Sequence, residues 1–445
     1  MPANILNLSA YAVLSVDHTD HDYHIKAETK TIPTHCPNCQ SNNLVSFGRR
    51  EQLVKDLPMH GRRVGIYVST RRMKCLPCAK TFSETLPEVD ENRAMTSRLL
   101  EWVGKQAIRR TFTSIAEEVG ITEGTVRGIF RDYINELERT VRFETPKWMG
   151  IDEIHLIKPR GVITNIHNRT VVEVLRDRNK KTIADYLFRL KGREEVQYVA
   201  MDMWRPYCEA VQDVLPQANI VIDKFHVVKM ANEAMEKIRK SLRADLNPNQ
   251  RRGLMHDRFV LLKRERELTD QERFNLDGWV KNYPLLGEAY RLKEEFFKIY
   301  DHQSRTKAEL AYAHWMKSIP PELNEAFAPI KTSVGNWSPH IFAYFDHPVT
   351  NAYTESLNNL IRVMNRLGRG YSFEALRAKI LFSEGAHKVT QPRPKYERRE
   401  TQNDSAYMGY AMYTGIPQST QNDEKPKNYG ADISTLIRMI ENGEL

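Results

Sequence analysis

The chain has 445 residues, of which 41% are apolar, and a formal net charge of +9. That length supports roughly two to four domains with a sizeable core, and the basic balance favours a polyanionic partner over an acidic or neutral surface. No apolar run reaches the roughly 18 residues that a membrane-spanning helix needs, and Asn4, Asn7 and Ser9 interrupt the N-terminal apolar stretch, which argues against a secretory signal.

Residues 1–90 read as a β-rich module. Val13, Leu14, Val16, Tyr23 and Ile25 surround Asp-His-Thr-Asp in a strand-turn-strand pattern, and Val64, Ile66 and Val68 alternate in a further strand. Four of the five cysteines form two pairs, Cys36-x-x-Cys39 and Cys75-x-x-Cys78, and Cys208 stands alone. A two-residue gap lets both thiolates of a pair face one point, so two pairs complete a tetrahedral four-thiolate zinc site. Such a closed site folds the module and does no chemistry. His35 is a weak substitute ligand. The cysteine usage fits a reducing cytosol, so the expected location is cytoplasmic, and nucleoid-associated if the polyanionic partner is DNA. Arg49, Arg50, Arg62, Arg63, Arg71 and Arg72 surround the module and are candidate phosphate contacts, with a solvated face as the plain alternative.

Residues 91–145 read as a helix-turn-helix domain. Leu99, Leu100, Val103, Ala107 and Ile108 have helical spacing. A short helix over Thr113–Val119 ends at Gly120, and Thr122 is a good N-cap for a second helix over Glu123–Tyr133. In this motif the second helix enters the major groove with its N-terminal residues over base edges. That exposes Glu123, Thr125 and Arg127, beside Thr122, while Arg109, Arg110 and Arg131 can reach phosphates. Arg127 is the first candidate for base reading.

Residues 146–242 change to strands: Lys147–Ile157, Gly161–His167 and Thr170–Arg176, then helix Lys180–Leu190, strand Val196–Met201, helix Arg205–Leu215, strand Asn219–Ile222 and helix Phe225–Leu242. The order β-β-β-α-β-α-β-α predicts a mixed sheet covered by helices. It resembles the ribonuclease-H-like fold, in which strand 1 lies beside strand 4. Asp152 sits on the first of these strands and Asp202 ends the fourth, so their carboxylates can meet. An acid at the end of an apolar strand is costly unless it binds something. Residues 243–340 are charged and helical and read as an insertion, with Lys281, Arg291, Lys293 and Lys298 as candidate DNA contacts.

Residues 341–390 carry a helix around Glu355. Glu355, Asn358, Asn359 and Arg362 share one face, above the apolar stripe Leu357, Leu360, Ile361 and Met364. Glu355 is the candidate third acid, Arg362 could hold a phosphate, and Asn358 could support the site. Asp223 also ends a strand, next to Phe225 and His226. It is the alternative to Asp202, or it supports the site or orders His226. Glu153 points to the opposite sheet face, and Trp204 could stack on a displaced base or pack in the core. The polar residues 391–445 read as a tail with a short amphipathic helix at Ile433–Ile440.

The fold expected is therefore multidomain α+β: a four-cysteine zinc-ribbon-like module, a helix-turn-helix and a ribonuclease-H-like mixed sheet interrupted by a helical insertion. The cysteine pairs, the helix-turn-helix, Gly150-Ile-Asp-Glu, Ala200-Met-Asp-Met-Trp-Arg-Pro-Tyr207, Asp223-Lys-Phe-His-Val227, and Thr354-Glu-Ser-Leu-Asn-Asn followed by Gly368-Arg-Gly-Tyr371 together resemble the DDE transposases of the ISL-three family of bacterial insertion sequences. The resemblance covers nearly the whole chain. It implies an acidic triad of Asp152, Asp202 and Glu355 holding two Mg²⁺, with Mn²⁺ as the alternative. It also implies nicking of double-stranded DNA at terminal inverted repeats and joining of the freed 3′-OH to target DNA, by a homodimer or higher oligomer that holds two ends in synapsis. The rival expectations are a DNA-binding regulator with an inactive nuclease domain and a ribonuclease-H-like structure-specific nuclease.

Overall fold

The computed structural model describes residues 6–141, 144–244 and 246–385. The expected tail at 391–445, with Ile433–Ile440, lies outside them.

In the N-terminal module β1 (Tyr11–His18) pairs with β2 (Asp22–Thr29), and two long strands, β3 (Leu44–Met59) and β4 (Arg62–Cys75), form a hairpin. The short strands β5 (Thr81–Ser83), β6 (Val89–Asp90) and β7 (Met95–Thr96) complete one sheet, ordered β1-β2-β4-β3-β7-β6 with β5 beside β4. Its inward faces obey period-two alternation: Ile25 and Ala27 of β2, Val54 of β3, and Val64, Ile66 and Val68 of β4 form one buried cluster.

Three helices follow: α1 (Ser97–Arg109), α2 (Phe112–Val119) and α3 (Glu123–Thr140). Each starts on a threonine, Thr96, Thr111 or Thr122, whose hydroxyl accepts from the backbone N–H three residues on. Gly120 ends α2 in the left-handed region at φ +73°, which a residue with a Cβ adopts only with strain. The second helix of the pair is longer than its sequence pattern suggested, because Ile134 and Leu137 extend the apolar face past Tyr133.

The next sheet contains β8 (Trp148–His155), β9 (Pro159–Asn165), β10 (Thr170–Val174), β11 (Tyr198–Met201) and β12 (Asn219–Ile222), in the order β10-β9-β8-β11-β12. The first three strands are antiparallel; β11 runs parallel to β8, and β12 parallel to β11. Strand 1 of the domain thus lies beside strand 4, the order expected of a ribonuclease-H-like core. One face, with Met149, Ile151, Val199, Met201, Ile220 and Ile222, packs under α4 (Lys180–Arg189), α5 (Arg205–Val214) and α6 (Lys224–Ser241). The same core extends into α7 (Pro248–His256), α8 (Arg258–Leu262), α9 (Asp270–Asn282), α10 (Pro284–Ile299), α11 (Arg305–Lys317) and α12 (Asn324–Asp346).

The insertion boundary expected at residue 340 falls inside α12. Trp337, Ile341 and Phe342 of this helix join the same core as β12, so the helix continues until its apolar face is used up. The other sheet face, with Ile154, Val162, Val171 and Val174, packs against α13 (Ala352–Leu367), α14 (Phe373–Glu384) and the helix-turn-helix in a second continuous core.

Candidate active site and nucleic-acid interface

Parallel pairing sets the acids in line. Ile151 of β8 is opposite Met201 of β11, and Met201 is opposite Ile222 of β12. The next residue on each strand is an aspartate: Asp152, Asp202 and Asp223. Three aspartates therefore stand in register across three adjacent strands whose backbones are about 4.8 Å apart, Asp152 within β8 and Asp202 and Asp223 just beyond the ends of β11 and β12. Side chains in register share a face, and this is the face covered by α13. Glu153 lies on the opposite face, paired with Arg178, whose guanidinium sits 4.5 Å over the Trp204 ring. Trp204 is thus a half-exposed platform beside the acids, already carrying a cation.

The helix α13 is docked by polar contacts. Asn351 Nδ2 donates to the Ile151 carbonyl at 3.2 Å, and the hydroxyls of Thr354 and Thr164 meet at 2.7 Å. Asn358 Nδ2 donates to Asp152 Oδ2 at 2.9 Å and to the Glu153 carbonyl at 3.2 Å. A Cβ on Gly150 would collide with Asn351 Oδ1, Thr164 Oγ1 and Thr354 Oγ1, the last at 2.6 Å. Only glycine lets this helix sit so close. Glu355 lies in the exposed first turn of the same helix, one turn before Asn358. Arg362 donates to Asn359 Oδ1 at 2.7 Å, one turn beyond.

Burial raises Asp152 to about 6, reinforced by the charges of Asp202 and Asp223 and opposed by the Glu153 N–H and His226. Asp223 is also raised, first by burial and then by Glu355; its own Phe225 N–H bond and His226 work against this. His226 Nδ1 lies 3.5 Å from Asp202 Oδ1. Two of the acids are thus held in a desolvated, mutually repelling group, a donor set that suits a hard divalent cation. Asp223, the alternative to Asp202, caps α6 through its Phe225 bond at 3.3 Å. Asp202 is the more open of the two and the nearer to Asp152. Among the described residues, no three of these acids bring oxygens within 4.8 Å of one another. Two ligands of one Mg²⁺ stand at most about 4.2 Å apart, so as they stand these acids do not form a three-carboxylate site for a single ion.

The cysteines are already gathered. Cys36, Cys39, Cys75 and Cys78 place their sulfurs within 4.8 Å of one another, with Cys36–Cys78 at 3.7 Å and Cys39–Cys75 at 3.5 Å. A zinc ion with bonds of about 2.3 Å needs sulfurs about 3.8 Å apart, so the four thiols fit it. Burial opposes ionisation of Cys36, but the N–H groups of Asn38 and Cys39 and its thiol neighbours hold its pKa down to about 6. His35 instead pairs with the Thr34 hydroxyl at 3.0 Å.

Several expected phosphate contacts are already engaged within the protein. Arg63 makes a two-pronged pair with Asp22, Arg71 binds Glu84, and Arg49 binds Glu28. Among the described residues Arg50, Arg62 and Arg72 have no carboxylate partner, with Arg62 over Tyr23 and Arg72 over Phe47. On the helix-turn-helix, Thr122, Thr125 and Arg127 lie at the start of α3, with Arg127 paired to Glu123 at 2.6 Å. Arg109 and Arg131 are exposed, and Arg110 pairs with Glu118 at 2.5 Å. In the insertion, Lys293 is no DNA contact: it is 0% exposed, pairs with Glu294 and donates to the Leu261 and Lys263 carbonyls. Its helix is apolar on that face, with Leu292, Phe296 and Phe297 around it. Arg291 is taken by Glu288 and Glu295, which leaves Lys281 and Lys298 exposed.

The three regions match three family models in the same order. Residues 32–78 match the zinc finger of the transposases IS204, IS1001, IS1096 and IS1165, and residues 84–134 match the helix-turn-helix domain of transposase family ISL3. Residues 149–380, more than half of the chain, match the ISL3 transposase model. The chain belongs to the ISL3 transposases. Over 327 residues it is 26% identical to the transposase for insertion sequence element IS1001 of Bordetella parapertussis, covering 72% of this chain and 80% of that protein. Over 316 residues it is 24% identical to the transposase for IS1557 of Mycobacterium tuberculosis, covering 64% of this chain and 71% of that one. Among the described residues of this ISL3 transposase, no helix is long and apolar enough to cross a membrane.

Proposed function

We propose that this transposase binds the terminal inverted repeats of an insertion sequence, cuts DNA there and joins the freed 3′-OH to target DNA, with Asp152, Asp202 and Glu355 as its catalytic acids. The observation that carries this reading is the alignment of Asp152 and Asp202 on adjacent parallel strands, beneath the helix that bears Glu355. The three acids would hold two Mg²⁺, or Mn²⁺ in its place. Bound there, such ions activate a water or a 3′-OH and stabilise the leaving oxygen. The protein's own groups do the rest. Asn358 fixes the Asp152 carboxylate, and His226 flanks Asp202. Arg362 offers a guanidinium to a phosphate. Asp223 supports the row from its buried position.

In the major groove, Thr122, Thr125 and Arg127 of α3 would read base edges, and Arg127 would leave Glu123 to do so. Arg109, Arg110 and Arg131 would hold phosphates. The zinc-bound cysteine module would add a further basic surface through Arg50, Arg62 and Arg72. Two ends held together call for at least two copies of the chain.

The separation of the acid oxygens favours one rival, a DNA-binding regulator whose nuclease domain is inactive. The two readings part on a single assay: nicking of DNA carrying the inverted repeats that flank the coding region, with and without Mg²⁺. The transposase reading expects Mg²⁺-dependent nicks at the repeat ends. Binding to those repeats with no cleavage with or without Mg²⁺ would leave the regulator.

A further inference from the structure

Lys379 lies on α14, and its side chain is only 2% exposed. Its ammonium does not stay within the catalytic half of the molecule. Nζ donates to the Ala107 carbonyl and, at 2.8 Å, to the Arg110 carbonyl, both at the end of α1. It also stands 4.6 Å over the ring of Phe112, which opens α2, 5.4 Å over Phe130 of α3, and 4.8 Å over Tyr371, in the link between α13 and α14. One cation therefore touches all three helices of the helix-turn-helix and the segment that follows the Glu355 helix. The rings also touch one another: Phe112 is 5.2 Å from Phe130 and 5.1 Å from Tyr371 between centroids.

Among the described residues, Lys379 has no carboxylate within ion-pair distance. Burial pulls its pKa down to about 7, while two carbonyls at the negative end of α1 and three ring faces favour the charged form. A methionine of similar length would fill this apolar cage without the desolvation penalty. What the ammonium adds is direction: hydrogen bonds and cation–π contacts define one arrangement, whereas apolar packing tolerates sliding. Two residues earlier on the same helix, Arg377 joins Glu138 of α3 at 3.1 Å to Glu173 of β10 at 2.6 Å. The two cations clamp α3 against the catalytic sheet, beside a cavity of about 1040 Å³ lined by Arg127, Arg131, Arg176 and Phe373.

We propose that Lys379, seated among Phe112, Phe130 and Tyr371, is a positioning residue that locks the recognition helices in one register against the catalytic sheet, and so sets the distance along DNA from the repeat sequence to the bond that is cut. This inference rests on the transposase reading above.

The test uses the full chain, with zinc and Mg²⁺, on labelled repeat-end DNA and on the same DNA with one or two base pairs inserted between the repeat and the cleavage point. Wild-type protein should nick at one position and lose at least about tenfold in rate with the insertions. Lys379→Met should bind the repeat within about threefold of wild type, but spread its nicks over neighbouring bonds and lose most of the insertion penalty. A folded Lys379→Met protein with a single nick position and the full penalty overturns the proposal. If that variant does not fold, Tyr371→Leu, which removes one ring on the catalytic side, is held to the same two criteria. If wild type nicks no repeat DNA, the transposase reading has failed instead. Amide exchange in α1–α3 then decides the joint: faster exchange than wild type in Lys379→Met, with β8 and β11 unchanged, supports it, and identical exchange overturns it.

Discussion

Asn358 Nδ2 donates to Asp152 Oδ2 at 2.9 Å, joining two residues 206 positions apart in the chain. The bond fixes one oxygen of a buried carboxylate, and the Glu153 N–H fixes the other at 2.7 Å. Asn358→Ala should therefore leave repeat binding intact and raise the Mg²⁺ midpoint of cleavage by about 10–100-fold, the usual consequence of removing a group that orients a metal ligand. A Mg²⁺ titration of nicking, beside a gel-shift assay, reads both. An unchanged Mg²⁺ midpoint would mean that Asn358 serves packing alone.

Gly150 lies beneath the docking contacts of α13. Gly150→Ala forces its new methyl into Asn351, Thr164 and Thr354. The expected destabilisation is about 2 kcal/mol or more, on the order of a 5 °C fall in Tm, together with loss of cleavage as the Glu355 helix lifts. A melting curve that matches wild type would show that the helix tolerates displacement.

Metal removal should separate the two halves. Zinc analysis should find one tightly bound zinc per chain, and Cys75→Ser or a strong chelator should unfold the module around residues 32–83 and abolish repeat binding. The β8–β12 sheet has its own cores and should keep its melting transition. Full repeat binding by a zinc-free protein would contradict a folding role for the cysteines.

Asp152 gives a pH signature. Its folded pKa of about 6 lies above the ordinary 3.8. Between those values the folded chain holds the extra proton, so this group's contribution to stability falls as pH rises through that window and is unfavourable above about 6. The ionised form that a cation needs dominates only above about 6. Added Mg²⁺ at 100 times its Kd should raise stability by about 2.7 kcal/mol at pH 8, and by far less at pH 5. An equal Mg²⁺ shift in Tm at both values would remove Asp152 from the site.

Much of this was legible in the sequence because the signals are local. Cys-x-x-Cys spacing, threonine caps, Gly120 and the apolar strands before Asp152, Asp202 and Asp223 each act within a few residues. The long-range facts were not legible. Lys293 read as a candidate DNA contact and Lys379 carried no signal at all, because burial of a lysine depends on carbonyls and rings far away in sequence, 272 residues away in the case of Lys379 and Ala107. The arginines around the zinc module read as one basic patch, since pairing with Asp22, Glu28 and Glu84 is visible only once the strands are aligned. The role of Asn351 and Thr354 in seating α13 likewise depends on what Gly150 leaves open.

The most direct measurement compares Asp152→Asn, Asp202→Asn, Glu355→Gln and Asp223→Asn for Mg²⁺-dependent cleavage of repeat-end DNA at matched binding. The first three should each lower the rate by at least about a thousandfold, while Asp223→Asn retains measurable activity. Robust cutting by any of the first three, or loss only in Asp223→Asn, would contradict the proposed triad.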